Sequence, residues 1–369
     1  MARLGEVVTI QSSSRQLHGD KFWLLNLDMV EQQTGNIIDY NYVTKDGLNG
    51  SIIQFDSDMI LYSKLRPNLN KVVLPKIEGY ATSEMLPLKP NEKELDREYL
   101  AEYLRSEGFV TWAASKTAGA KMPRLGTKEL LNVEIPLPPL EEQRHIAQLF
   151  AQTSDLISLR KQQLAKLDEL VKARFVELFG DPILNQKGFP VYRMDEVVEF
   201  QGGSQPDKKY FEYEPTEDNI RLIQIRDYKT DKYITYIPKS MAKRFCTADD
   251  IMIGRYGPPI FQILQGIEGS FNVALMKATP KMGNREFIRQ FLKQDCLLEY
   301  LEGLSKRTAG QDGIQMDKLK EYPFPIPPIE LQKEFERFIK QTDKSKLAIQ
   351  QSLDKLETLK KALMQKYFG

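Results

Sequence analysis

The chain has 369 residues, a formal net charge of +1, 41% hydrophobic and 28% charged residues. That length suits more than one domain, and the mixture is that of a globular protein, not a disordered or fibrous one. No run of about 18 apolar residues is present, which excludes a membrane-spanning helix. The first residues, Met1-Ala2-Arg3-Leu4-Gly5-Glu6, lack the charged-then-apolar pattern of a secretory signal, so a cytoplasmic protein is expected.

In chain order, Ser51-Ile52-Ile53-Gln54-Phe55 and Asp58-Met59-Ile60-Leu61-Tyr62 read as β-strands, and residues 96–106 as a short helix. Pro138-Pro139 then precede a stretch, 141–179, without glycine or proline. Its apolar residues Ile146, Leu149, Leu156, Leu164, Leu167, Val171 and Leu178, with Thr153 as a polar break, follow helical spacing, and a shift of phase is expected near Arg160. Gly180 stops this helix, and residues 180–190 form a linker rich in turn residues. Residues 220–225 and 233–237 read as strands and 285–301 as one helix. Pro327-Pro328 open a second long helix, 330–368, with Phe338, Thr342, Ile349, Leu353, Leu356, Leu363 and Tyr367 on one face. Each long helix alone would expose an apolar stripe, and pairing the two buries both.

The chain repeats itself. Ile135-Pro136-Leu137-Pro138-Pro139-Leu140-Glu141-Glu142-Gln143 parallels Phe324-Pro325-Ile326-Pro327-Pro328-Ile329-Glu330-Leu331-Gln332 at an offset of 189. The alignment runs without a gap to Phe179-Gly180 and Phe368-Gly369, and 16 of its 46 positions are identical by direct count. Arg3-Leu4-Gly5-Glu6-Val7-Val8 likewise parallels Arg193-Met194-Asp195-Glu196-Val197-Val198. Two copies of one unit, variable first and similar last, suit a pseudo-dimer and are too few for a solenoid.

Much chemistry is missing. No P-loop, dinucleotide fingerprint, H-E-x-x-H or G-x-S-x-G motif occurs. Cys246 and Cys296 form no C-x-x-C pair, and His18 and His145 alone cannot build a zinc site or a histidine triad, so no metal site and no catalytic residue is assigned. The carboxylates Asp56, Asp58, Asp249 and Asp250 read as strand-entry turns.

The proline-helix segment, closing in Phe175-Val176-Glu177-Leu178-Phe179-Gly180-Asp181-Pro182, together with the duplication, resembles the specificity subunit of type I restriction-modification systems over essentially the whole chain. Lys116-Thr117-Ala118-Gly119 and Lys306-Arg307-Thr308-Ala309-Gly310 fall where that family tends to have a glycine-containing loop. The resemblance implies an α+β fold with two β-rich α/β target recognition domains in tandem, residues 1–135 and 181–323. Two spacer helices, 136–180 and 324–369, would join them as an antiparallel coiled coil. It implies a non-catalytic subunit that reads one half of a bipartite duplex DNA site with each domain. Two methyltransferase subunits, which bind S-adenosylmethionine and methylate adenine N6, and two motor-nuclease subunits are the implied partners. This chain would hold no cofactor itself. A duplicated protein–protein scaffold that ignores DNA is the rival reading, and it predicts no salt-dependent DNA affinity.

With net charge near zero, DNA contacts must come from local basic windows. In the first domain these carry Lys64, Arg66, Asn68 and Lys71, then Lys116, Thr117, Lys121 and Arg124. In the second they carry Arg255 and Tyr256, then Lys306, Arg307 and Gln311, with Gln205 and Lys208 as a further loop. Arginine and asparagine or glutamine can read base edges with two hydrogen bonds, while lysine mostly holds phosphate. The proline turns and the glutamines behind them, Pro138, Pro139, Gln143, Pro327, Pro328 and Gln332, are the expected docking points for the methyltransferase subunits.

Overall fold

A computed structural model describes residues 1–14, 17–117, 121–257, 259–305 and 313–369. The chain forms two compact units, Met1–Gln162 with Ile349–Gly369, and Gln163–Ala348.

The first unit contains β1 (Ala2–Arg3), α1 (Leu4–Val7), β2 (Val8–Ile10), β3 (Phe22–Leu25), β4 (Tyr42–Val43), β5 (Ile52–Phe55), β6 (Ile60–Ser63), β7 (Val72–Val73), β8 (Gly79–Thr82), β9 (Met85–Pro90), α2 (Arg97–Arg105), α3 (Glu107–Ser115), α4 (Thr127–Leu131) and β10 (Glu134–Ile135). Helix α5 (Leu140–Phe179) follows. The second unit contains β11 (Val191–Arg193), α6 (Met194–Val197), β12 (Val198–Gly202), β13 (Asn219–Ile223), β14 (Tyr236–Pro238), β15 (Phe245–Cys246), β16 (Ile251–Gly254), β17 (Gln262–Gln265), β18 (Gly269–Phe271), β19 (Leu275–Pro280), α7 (Arg285–Leu292), α8 (Asp295–Ser305), α9 (Met316–Glu321) and β20 (Pro323–Pro325). Helix α10 (Ile329–Phe368) closes the chain.

Strand order repeats between the copies. The first has sheets β2-β9-β6-β7 and β4-β3-β8-β5 with the pair β1-β10; the second has β12-β19-β16-β17 and β14-β13-β18-β15 with β11-β20. Even the parallel pairings recur, β3 with β8 and β13 with β18. Register is kept too, since Val8 faces Pro90 as Val198 faces Pro280. The matching starts of the two copies now have a physical meaning. In each, a glutamate reaches back to cap its own helix: the backbone N–H of Arg3 donates to Glu6 at 3.0 Å, and that of Arg193 to Glu196 at 2.7 Å.

The predicted strands at 51–55, 58–62 and 220–225 match β5, β6 and β13. Residues 233–237 do not form one strand; Asp231–Tyr233 is a tight turn and β14 starts at Tyr236. The single helix expected over 285–301 is two helices, α7 and α8. The interruption lets both apolar stripes, Phe287, Ile288, Phe291 and Leu292 on one and Leu297 and Leu301 on the other, reach the same core. The first copy does the same, with Ser106 ending α2 and capping α3 by accepting from the N–H of Phe109.

Both long helices form as expected, but their inner face is more regular than anticipated. On α5, positions 146, 150, 153, 157, 160, 164, 167, 171, 174 and 178 are buried or half-buried. The spacing alternates four and three without interruption, so there is no phase shift at Arg160. Arg160 itself takes a seam position, and Leu156, expected on the seam, is exposed beside Ile157, which takes its place. On α10 the seam runs 332, 335, 339, 342, 346, 349, 353, 356, 360, 363 and 367. In the first unit, Arg160 Nε donates to Ser352 Oγ at 3.2 Å and Lys360 Nζ to Ser154 Oγ at 2.9 Å. In the second, Lys346 Nζ meets Asp168 at 2.5 Å and Arg174 meets Glu334. Within each unit the two helices therefore run antiparallel, and each polar seam residue named here has a partner across the seam. Thr153 and Thr342, both buried, instead return their hydroxyls to the carbonyls of Leu149 and Phe338 one turn earlier.

The helix ends complete the domain cores. In the first unit, Leu363, Met364, Tyr367 and Phe368 pack on the cluster built from α1, α2 and β6. In the second, Val171, Phe175, Leu178 and Phe179 are part of the core, with Phe175 and Phe179 each edge-on to Phe335.

Candidate nucleic-acid interface

The two basic windows of the first domain lie apart in sequence and come together in space. Strand β6 ends at Ser63, and the chain then meets the segment before α4 through an antiparallel bridge, Leu65 with Arg124. Backbone bonds fix the junction: Leu125 N–H donates to Lys64 O at 2.9 Å, and Arg66 N–H to Pro123 O at 2.8 Å. Helix α3, which ends next to Lys116, packs against the turn Pro67–Leu69.

Not every predicted contact residue faces outward. Arg66, Asn68, Lys116, Lys121 and Arg124 are exposed, Lys64 and Thr117 half-buried. Lys71 turns inward, donating to Leu27 O at 2.5 Å, and burial holds its pKa below the ordinary lysine value. Its ammonium is thus already taken up by a backbone carbonyl, unlike those of the exposed lysines of the window. Thr117 donates to Ala114 O at 2.9 Å and serves the end of α3. Arg124 grips Glu84 with two nitrogens, at 3.1 and 2.9 Å, and the same guanidinium holds the Glu84 carboxyl below its usual range. Glu84 was missed from sequence because it lies 40 residues from its partner and no local pattern marks it.

Arg66 has φ +49° and ψ +65°, the left-handed region that a β-carbon disfavours. Glycine holds the matching position, Gly257, in the second copy, at φ +99°.

That second copy rebuilds the same junction. Tyr256 bridges Gly313 as Leu65 bridges Arg124, and Arg255 N–H donates to Ala274 O at 2.9 Å as Lys64 N–H donates to Glu84 O at 3.0 Å. The Arg255 guanidinium lies 5.3 Å from the ring centre of Tyr256, which is exposed. A side chain at Gly202 would come within 3.8 Å of Arg255, so the strand end leading to exposed Gln205 and Lys208 lies beside it. Lys306, Arg307 and Gln311 lie outside the described residues.

The carboxylates considered for catalysis are occupied by turns. Asp56 is buried and accepts from Ser13 Oγ and from the N–H of Asp58, both at 3.1 Å. Asp250 accepts from the N–H of Thr247 at 2.8 Å and faces Lys277 at 3.5 Å. Among the described residues, no group of three or more His, Cys, Asp or Glu stands together as a metal site, and no helix is long and apolar enough to cross a membrane.

The expected docking points divide. Pro139 and Pro328 are exposed, Pro138 is half-buried and Pro327 buried. Gln143 and Gln332 are at most 1% exposed. Gln143 accepts from the N–H of Asp96, the cap of α2, at 2.9 Å, and donates to Glu94 O and Pro138 O at 2.9 and 2.8 Å. Gln332 accepts from the N–H of Asn284, the cap of α7, and donates to Pro327 O, both at 2.7 Å. Both glutamines lock the start of a long helix to the start of a domain helix. They present nothing to a partner, which corrects the docking assignment.

Two copies of one β-rich domain, each displaying a loop junction with different side chains, define a tandem recognition protein. A model of the type I restriction modification DNA specificity domain matches residues 3–169 and 186–360, and the chain belongs to that family. It is 26% identical over 346 residues to the type I restriction enzyme MjaVIII specificity subunit of Methanocaldococcus jannaschii, covering 86% of this chain and 79% of that protein. It is 27% identical over 161 residues to the EcoDI specificity subunit of Escherichia coli, a match spanning 42% of this chain and only 36% of that relative. The fold is shared with the S subunit of a type I system from M. genitalium, at 14% identity and a TM-score of 0.63, covering 100% of this chain and 95% of that one. A chain from a structure on complex assembly and conformational transition of the type I R-M system gives 20% identity and a TM-score of 0.60, covering 100% and 96%.

Proposed function

We propose that each unit of this chain reads one half of a bipartite duplex DNA target through its loop junction, and that the chain carries out no reaction itself. The observation that supports this most is the repeated junction. The same backbone frame holds Leu65-Arg66 in one copy and Tyr256-Gly257 in the other. One frame with two different sets of side chains suits two half-sites of different sequence, so the target need not be a palindrome. Covalent linkage of two weak readings raises the effective concentration of the second and makes the pair strong.

The partners in this reading are two methyltransferase subunits, which bring S-adenosylmethionine and transfer a methyl group to adenine N6, and two motor-nuclease subunits for restriction. A methyltransferase must flip its target base out of the stack, and firm grip on the flanking duplex favours that step. Docking is assigned to the exposed prolines Pro139 and Pro328 and the outer helix faces, without Gln143 and Gln332. Work on chromosomal DNA puts the complex in the cytoplasm.

The test is single-molecule sequencing of host DNA for N6-methyladenine with and without this gene. A bipartite motif that disappears on deletion supports the proposal and supplies the target. If the methylome is unchanged and the purified chain, with its methyltransferase, shows no salt-dependent duplex affinity, the proposal fails.

A further inference from the structure

Glu84 stands in the turn between β8 and β9, and its side chain is 23% exposed. Its backbone is pinned, because Glu84 O accepts from Lys64 N–H at 3.0 Å. Arg124 is pinned as well, by its bridge to Leu65 and by the bond from Leu125 N–H to Lys64 O beside it. Arg124 Nε lies 3.1 Å from both carboxylate oxygens of Glu84, and Nη2 donates to Oε1 at 2.9 Å. The carboxylate therefore takes one edge of the guanidinium, Nε with Nη2. Both N–H groups of Nη1 and one of Nη2 remain beyond this pair, on the adjoining edge. Nη1 has no hydrogen-bond partner among the described residues, and the Arg124 side chain is 45% exposed.

The second copy has neither member of the pair. Ser63 faces Met85 in the first unit as Gly254 faces Leu275 in the second, so Ala274 stands where Glu84 stands. The bridges of Leu65 with Arg124 and of Tyr256 with Gly313 put Gly313 in the place of Arg124. Cation and carboxylate are thus present together in one copy and absent together in the other. Surface ion pairs stabilise a fold little, and the second copy closes the same junction without one. Its own cation, Arg255, takes the Lys64 position, lies against Tyr256 and donates from Nη1 to Val273 O at 3.4 Å.

We propose that Glu84 is a positioning residue that presents the Nη1–Nη2 edge of Arg124 to a guanine in the major groove, so that the first unit's half-site contains a G·C pair read by a device the second unit lacks. This role rests on DNA reading by the first unit and narrows it to one base. The charges favour a base over the backbone: Glu84 cancels the net charge of the guanidinium and repels a phosphate, which leaves a fork of donors suited to uncharged acceptors. Guanine offers two adjacent acceptors, O6 and N7, whereas adenine sets a donor beside its N7 and thymine a methyl beside its O4. An arginine already held at its backbone and at one edge also loses less side-chain freedom on binding.

The probe is a duplex library with a randomised core, selected by the full chain together with its methyltransferase and sequenced. Wild type should enrich a bipartite motif with one guanine position preferred roughly tenfold or more. Arg124→Ala and Arg124→Lys should both remove that preference and leave the other half-site intact, since lysine keeps the charge and loses the fork. Glu84→Gln should relax the same position severalfold while affinity for random duplex at low salt rises. Glu84→Gln combined with Arg124→Ala should match Arg124→Ala alone, because Glu84 acts through Arg124. A guanine preference that survives Arg124→Lys overturns the proposal. So does Glu84→Gln leaving the motif unchanged, or weakening every position of both half-sites equally, which marks a general charge effect. A wild-type selection with no motif at all fells the DNA-reading proposal and this one with it.

Discussion

Replacing Gln143 with alanine separates a locking role from a docking role. The side chain satisfies one donor, the N–H of Asp96, and two acceptors, the carbonyls of Glu94 and Pro138. Each buried polar group left without a partner costs about 1–3 kcal/mol. Glu94 is exposed and Asp96 and Pro138 are half-buried, so water recovers part of the loss. The void left by a side chain that is 0% exposed adds to it. The expected sum is about 2–4 kcal/mol, a large share of the roughly 5–15 kcal/mol that stabilises a domain. Urea unfolding should show an early transition in Gln143→Ala, and Gln332→Ala should produce a loss of similar size. Methyltransferase binding by the folded fraction should be unchanged. Wild-type unfolding combined with lost partner binding would refute the reasoning and restore the docking role.

Arg66→Gly should relieve left-handed backbone strain, worth about 1–2 kcal/mol before the entropy cost of glycine, while discrimination at one base pair falls by about 1–3 kcal/mol. Arg66→Ala should lose the same discrimination without the gain, so the two variants should bind alike and melt differently; identical melting curves would remove strain from the account. Deleting residues 361–369 strips Leu363, Met364, Tyr367 and Phe368 from the first core, so hydrogen exchange should rise in the first unit and stay near wild type in the second. Because Arg124 depresses the Glu84 pKa, the stabilisation from this pair is complete above the unfolded carboxyl value near 4.5 and is lost as pH falls through the lower folded value. Glu84→Gln should flatten that acid limb in unfolding titrations, and a persistent slope of equal size would assign it to other carboxylates. Freed from its carboxylate, Arg124 should also raise duplex affinity at low salt, measurable by anisotropy.

What could be read from residue order was local or repeated. The proline lead-ins, the helices without glycine or proline, the matching starts at Arg3–Val8 and Arg193–Val198 and the offset between copies are patterns of residue order, and they delivered the tandem plan and both long helices. The seam was half legible, since apolar residues announced the period, but Arg160, Lys346 and Lys360 hid its continuity because charge looks like surface until a partner such as Ser352, Asp168 or Ser154 is placed beside it. The basic windows were visible as composition, yet their meeting through Leu65 and Arg124 depends on a contact between distant segments. Only tertiary structure decided which polar side chains are already engaged within the protein: Gln143 and Gln332 in buried helix locks, Lys71 on Leu27, and Arg124 on Glu84 at the surface. A hydrogen-bonding group looks the same in sequence whether water or a buried backbone is its partner, and the free energy differs only once the fold has removed the water.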